Sequence, residues 1–158
     1  MKYKHIKIII LLQVISFFAS CEYAIGEKGV FSMPAETPPF VITRPVCETR
    51  ERQPYFNYAG IVFKFMNTGN KIIDEITVSF MLYDSITKEN PFVGSNKFSI
   101  KKLDLIPPDD NKEVIISLDH YIYFAPQTPY LIDFFYISEI HFTDDSIWED
   151  KYGLYKIE

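Results

Sequence analysis

The run IDEITVSFMLY, residues 73–83, sets Ile76, Val78, Phe80 and Leu82 against Thr77, Ser79, Met81 and Tyr83. Alternation at period two marks a β-strand with one face in a core and the other at most half buried. The same signal recurs on either side. Residues 58–66 form an apolar strand stopped by Asn67-Thr68-Gly69-Asn70, and residues 97–105 alternate up to the hard turn at Pro107-Pro108-Asp109-Asp110-Asn111. Residues 113–124 and 130–143 read as two longer strands split by Pro126 and Pro129, and residues 147–155 as a last one. Phe40–Thr43, between Pro39 and Pro45, fits a short edge strand, where a missing N–H is tolerated. No stretch carries apolar residues at helical spacing over three turns. About seven strands with turn signals and no helical crossover predict an all-β, antiparallel sandwich over residues 38–158, with a closed barrel as the alternative.

The chain begins differently. Lys2, Lys4 and Lys7 precede the apolar run Ile8–Ala19, and Phe18-Ala19-Ser20-Cys21 closes it. A basic start, a short apolar middle and small residues before a cut site form a secretory signal peptide over residues 1–20. Twelve helical residues span only about 18 Å, short of the roughly 30 Å hydrocarbon core. Residues 18–21 resemble the lipobox of bacterial lipoproteins. That resemblance implies cleavage before Cys21 and lipidation of its sulfur, with palmitate among the acyl chains. At about 0.8 kcal/mol per buried methylene, several chains hold a soluble domain on a bilayer. Glu22, where an inner-membrane retention signal would be Asp, points to the outer membrane of the cell envelope. Residues 21–37, with Gly26, Gly29 and Pro34 and little periodicity, read as a tether reaching about 50 Å when extended.

Cleavage before Cys21 removes three of the sixteen basic residues and none of the twenty-one acids. The mature chain is therefore strongly anionic, the wrong sign for nucleic acid and for an anionic membrane face. The lipid must supply the attachment. Lipidation also consumes the Cys21 sulfur, so Cys47 has no disulfide partner. With Pro45, Glu48, Arg50 and Glu51 around it, Cys47 reads as a passive free thiol in a polar setting.

Phe80-Met81-Leu82-Tyr83-Asp84 matches the Phe-x-Leu-Tyr-Asp signature of the FxLYD domain. The chain from Tyr55 to Ile122 resembles that family, a small immunoglobulin-like module of exported bacterial and archaeal proteins. Gly60 and Asn67-Thr68-Gly69 correspond to its Gly…Asn-x-Gly strand and turn, whereas Pro107-Pro108-Asp109-Asp110 replaces its usual Pro-Gly turn. The resemblance implies a non-catalytic module without active-site residues. The residues themselves suggest folding roles: Phe80 and Leu82 in the core, Tyr83 as a ring with a hydroxyl, Asp84 accepting backbone N–H groups at a turn.

No catalytic pattern is present. Nucleophile elbows, phosphate-cradling glycine runs and zinc spacings are absent, so no cofactor and no metal are expected. His120 and His141 read as isolated, without a histidine, cysteine or carboxylate at ligand spacing. The acidic run from Asp144 to Asp150 lacks the alternating ligands and glycine of a calcium loop and reads as a hairpin turn with a buried Trp148. The aromatics between 121 and 136 remain. They suit either a core strand or a partner surface made by Tyr121, Tyr123 and Phe135. The expectation is an envelope lipoprotein, not an enzyme, that binds a protein partner or serves assembly; the alternative is capture of a sugar or peptide by these aromatics. Cys21→Ser should abolish acyl labelling and leave the protein soluble or unprocessed; unchanged membrane retention and mass shift would contradict the lipidation.

Overall fold

A computed structural model describes residues 37–157. The signal segment, Cys21 and residues 22–36 of the tether lie outside the described residues. Pro38–Glu158 is one compact unit. Among the described residues, no helix is long and apolar enough to cross a membrane.

Two antiparallel sheets make the fold. In the first, β3 (Gly60–Asn67) is central. β1 (Phe40–Ile42) pairs with its second half and β2 (Val46–Glu48) with its first half, on the same edge, and β6 (Asn111–Ser117) takes the other edge. Pro45 has no N–H to give to the ladder, so one edge strand is broken into two. The second sheet runs β5–β4–β7–β8, from β4 (Ile73–Tyr83), β5 (Lys97–Ile106), β7 (Leu131–Phe142) and β8 (Ile147–Glu149). Counting β1 and β2 as one, strands one, two and five face strands three, four, six and seven. That is an immunoglobulin-type order in which the fourth strand joins the sheet of the third.

Ile76, Val78, Phe80 and Leu82 are buried, as their alternation requires. Thr77 and Ser79 on the other face are buried too, more deeply than half. The reason is their central position, since β4 has a neighbour on both sides; Ser79 Oγ meets the hydroxyls of Ser99 at 3.4 Å and Ser138 at 3.1 Å.

Two strands are shorter than their sequence suggests. β6 ends at Ser117 rather than residue 124, because the Leu118 N–H bonds Ala59 O and the Tyr121 N–H turns back onto Leu118 O. β8 ends at Glu149 rather than residue 155. There the buried Asp150 carboxylate accepts the N–H groups of Tyr152, Leu154 and Tyr155 and curls the chain.

β7 is irregular in a way that matters. Ser79 opposes Tyr136 and Met81 opposes Asp133, so Phe134 and Phe135 together face the single Phe80. Phe134 takes φ 49°, a conformation seldom adopted by a bulky residue, and this bulge turns Phe135 into the core. Phe135 meets Phe63 of the other sheet edge-on at 5.1 Å and stacks on Phe80 at 6.0 Å. A second irregularity leaves Ser138 unpaired, between Val78–Ile137 and Thr77–Glu139. Ile137, Ile140 and Phe142 thereby all point inward, while Glu139 and His141 point out. Trp148 reaches across to Phe40 at 5.3 Å and covers the far end of the core.

Phe80→Ala should cost about 3–5 kcal/mol of stability in a denaturant melt, whereas the half-buried Met81→Ala should cost clearly less. Equal losses would contradict the strand phase.

Candidate functional site

The loops at one end of the sandwich enclose a cleft of about 440 Å³. Its floor is Phe98, at the start of β5, stacked on Phe80 with ring centroids 5.3 Å apart. One wall is Phe92 and Val93 from the β4–β5 loop, with Phe92 edge-on to Phe98 at 5.1 Å and tilted against Tyr130 at 5.4 Å. The other wall is the β6–β7 loop, where Tyr121 stands edge-on to Phe98 at 4.9 Å. Ile122 turns inward, while Tyr123 and Phe124 stand 93 % and 76 % exposed at the rim beside the fully exposed Val93. No charged side chain is among the lining residues. A volume within the 300–1,000 Å³ range of ligand pockets, an apolar lining and a few hydroxyls suit a neutral ligand or side chain.

Carboxylates at the loop roots hold this shape. Asp84, one residue past β4, accepts the N–H groups of Ile86 and Thr87, both at 2.8 Å. These bonds, Thr87's first, hold its pKa below the ordinary value. Asp119 accepts the Asn57 N–H at 2.6 Å and the Tyr58 N–H at 3.0 Å, tying the β6–β7 loop to the segment before β3. Burial opposes its ionisation, but the N–H groups of Asn57, Tyr58 and Ala59 outweigh it and the pKa is lowered. Both contributions are complete above the unfolded-state pKa of about 3.9 and fade as pH falls through the lowered folded-state values. The cleft therefore keeps its shape in mild acid.

The sequence expectations distribute unevenly over this site. Tyr121 and Tyr123 do belong to one exposed aromatic cluster. Phe135 does not; it is 1 % exposed at the centre of the core, because the Phe134 bulge turns it inward. Phe92, Val93, Phe98 and Phe124 complete the cleft. Phe124 is among the aromatics between 121 and 136; strand periodicity gives no sign of the other three, since Phe92 and Val93 lie in a loop and Phe98 reads as an ordinary inward strand residue. Phe80 and Leu82 are core, and the Tyr83 hydroxyl reaches Met81 Sδ at 3.5 Å rather than a neighbouring loop.

His141 is not isolated. Glu139, two residues earlier on the same face, places Oε1 2.5 Å from His141 Nε2, and Glu75 lies directly across the ladder with Oε1 at 3.9 Å. The signal was Glu139-x-His141, two polar residues at strand period around Ile140. In the acidic hairpin, Asp144 pairs with Lys71 at 2.8 Å, and the side-chain hydrogen bonds from Lys71 and Ser146 bring its pKa to about 2. Asp150 is committed to backbone N–H groups and Glu149 to Lys151. The carboxylates of this run therefore do not converge. Cys47 is buried and not in a polar setting. On edge strand β2 its flanking residues turn outward and its thiol inward, where burial raises the pKa.

No protein-family model matches the chain, and no curated protein or solved structure matches it either.

Asp119→Ala should lower the unfolding free energy by roughly 1–2 kcal/mol, since charge-assisted hydrogen bonds at a partly exposed site are lost. Amide exchange at Asn57 and Tyr58 should accelerate in parallel. Unchanged exchange there would show that the carboxylate does not anchor the loop.

Proposed function

We propose that the protein is a non-catalytic, lipid-anchored protein of the bacterial cell envelope whose β-sandwich captures a partner protein in the aromatic cleft. The observation that carries this reading is the gathering of exposed Tyr121, Tyr123, Phe124 and Val93 around an uncharged cleft. Loop-borne aromatics at the rim of a preformed hollow are what binding hot spots are made of. The likeness to FxLYD modules supports a binding rather than a catalytic role. The lipobox-like segment ending at Cys21 supports the anchor, and Glu22 the outer membrane.

The fold supplies a fitting polarity. Pro39 O accepts the N–H groups of Thr68 and Gly69 in the β3–β4 turn, so the domain begins at the end opposite the cleft. A domain held through its first residues leaves the cleft at its free end. A second reading, capture of a neutral sugar or an apolar peptide, is favoured by the hydroxyls of Tyr121, Tyr123 and Ser95 beside the apolar lining. Tyr rings stack on sugar faces and their hydroxyls bond sugar oxygens.

A photo-crosslinking residue at position 123 in the native envelope tests both. A discrete protein adduct is expected from position 123 and none from the exposed Leu105 at the other end. An adduct removed by glycosidase but not by protease would favour the sugar. Tyr123→Ala and Phe124→Ala should each weaken capture about tenfold while shifting the unfolding free energy by no more than about 0.5 kcal/mol. Adducts only from Leu105, or capture indifferent to both variants, would place the binding surface elsewhere.

A further inference from the structure

The outer face of the β5–β4–β7–β8 sheet carries a separate group of side chains. Glu75 on β4 and His141 on β7 are cross-strand partners; in the next row Thr77 lies between Lys101 of β5 and Glu139 of β7. One ligand atom from each of Glu75, Glu139 and His141 lies within 4.8 Å of the others. All three side chains are half buried, with 17 %, 31 % and 34 % of their surface exposed. Lys101 Nζ rests on Glu75 Oε1 at 2.7 Å.

We propose that Glu75, Glu139 and His141 form a binding site for one divalent transition-metal ion of the zinc type, with Lys101 as the counter-ion that occupies it when metal is absent. Three features support it. The donor set, one imidazole and two carboxylates, is of the kind that leaves a fourth position open on zinc. A tetrahedral ion with bonds of about 2.0–2.2 Å needs its donor atoms roughly 3.4 Å apart. Glu75 Oε1 and His141 Nε2, now 3.9 Å apart, would close to that spacing, and Glu139 Oε1 and His141 Nε2, now 2.5 Å apart, would open to it. Thr77 supplies an independent sign. It is 8 % exposed, shares the face of the cluster and the row of Glu139, and its Oγ1 has no hydrogen-bond partner among the described residues. A water on the open position of the ion would give that buried hydroxyl a partner.

The backbone is arranged for this. Had β7 alternated without interruption from Phe135 and Ile137, Glu139 and His141 would point into the core. The extra residue Ser138 reverses the phase and sets both beside Glu75, with Ser138 Oγ bonded to Thr77 O at 3.2 Å. Bulges commonly re-aim side chains at functional positions. Loading requires His141 Nε2, which meets Glu139 Oε1, to present its lone pair, with the imidazole proton on Nδ1, and the exposed Lys101 side chain to swing into solvent.

Zinc titration of the full chain in detergent, after removal of metal by chelator, tests the site by calorimetry. One Zn²⁺ per chain is expected. His141→Ala and Glu139→Gln should each weaken it by roughly tenfold or more, while His120→Ala leaves it unchanged. Lys101→Met should tighten binding severalfold, because the competing ammonium is gone. No stoichiometric binding, equal affinity in His141→Ala, or loss through His120→Ala would overturn the proposal. Should His141→Ala fail to fold, Lys101→Met decides: an unchanged or weaker affinity counts against the site, because a structural ion pair does not predict a gain.

Discussion

A connected series of rings, Phe63–Phe135–Phe80–Phe98, runs from one sheet through the core to the floor of the cleft, each step between 5.1 and 6.0 Å. Phe80 is its pivot. It lies in an inner strand of the β5–β4–β7–β8 sheet, stacked on Phe135 and on Phe98. Phe92 and Tyr121 both lean on Phe98, so the walls of the cleft rest on the same rings that join the sheets. The Phe80–Asp84 segment thus serves twice. Its Phe and Leu hold the sandwich together, and its Asp, one residue past the strand, pins the loop that makes one wall. A short segment becomes a structural root for a surface several residues away.

β7 carries the main departures from regularity, and each has an identifiable consequence. The bulge at Phe134 brings Phe135 into the ring series; the unpaired Ser138 turns Glu139 and His141 outward. Both use the same economy: an extra residue re-phases every side chain that follows. Without the first, Phe134 rather than Phe135 would face inward opposite Phe80. Without the second, two ionisable groups would be driven into the core, where desolvation would be severe.

The two ends of the sandwich differ in chemistry. The end where the domain begins is held by buried polar ties. Asn67, fully buried, donates to Lys71 O and Ile106 O and accepts the Gly69 N–H, fastening the β3–β4 and β5–β6 turns together. The cleft end is apolar at its rim and held by carboxylates at its loop roots.

The amino-acid sequence by itself determined the all-β class, the boundaries of the central strand and which face of it is buried. These follow from period-two alternation and from turn residues, both local and therefore readable along the chain. It also revealed that Asp84 would cap a turn, because a carboxylate two and three residues ahead of backbone N–H groups acts locally. What the tertiary structure decided was the side on which β7's residues lie and which residues from distant loops meet. Alternation cannot announce its own interruptions, so Phe135 reads as a surface candidate until the bulge at Phe134 buries it. Tyr121 and Phe92 are separated along the chain by β5 and β6 and come together only because both lean on Phe98. Glu75 and His141 lie far apart along the chain and share one ladder rung only through the β4–β7 register. Contacts of that kind are set by the pairing of strands, a long-range choice that no window of sequence contains.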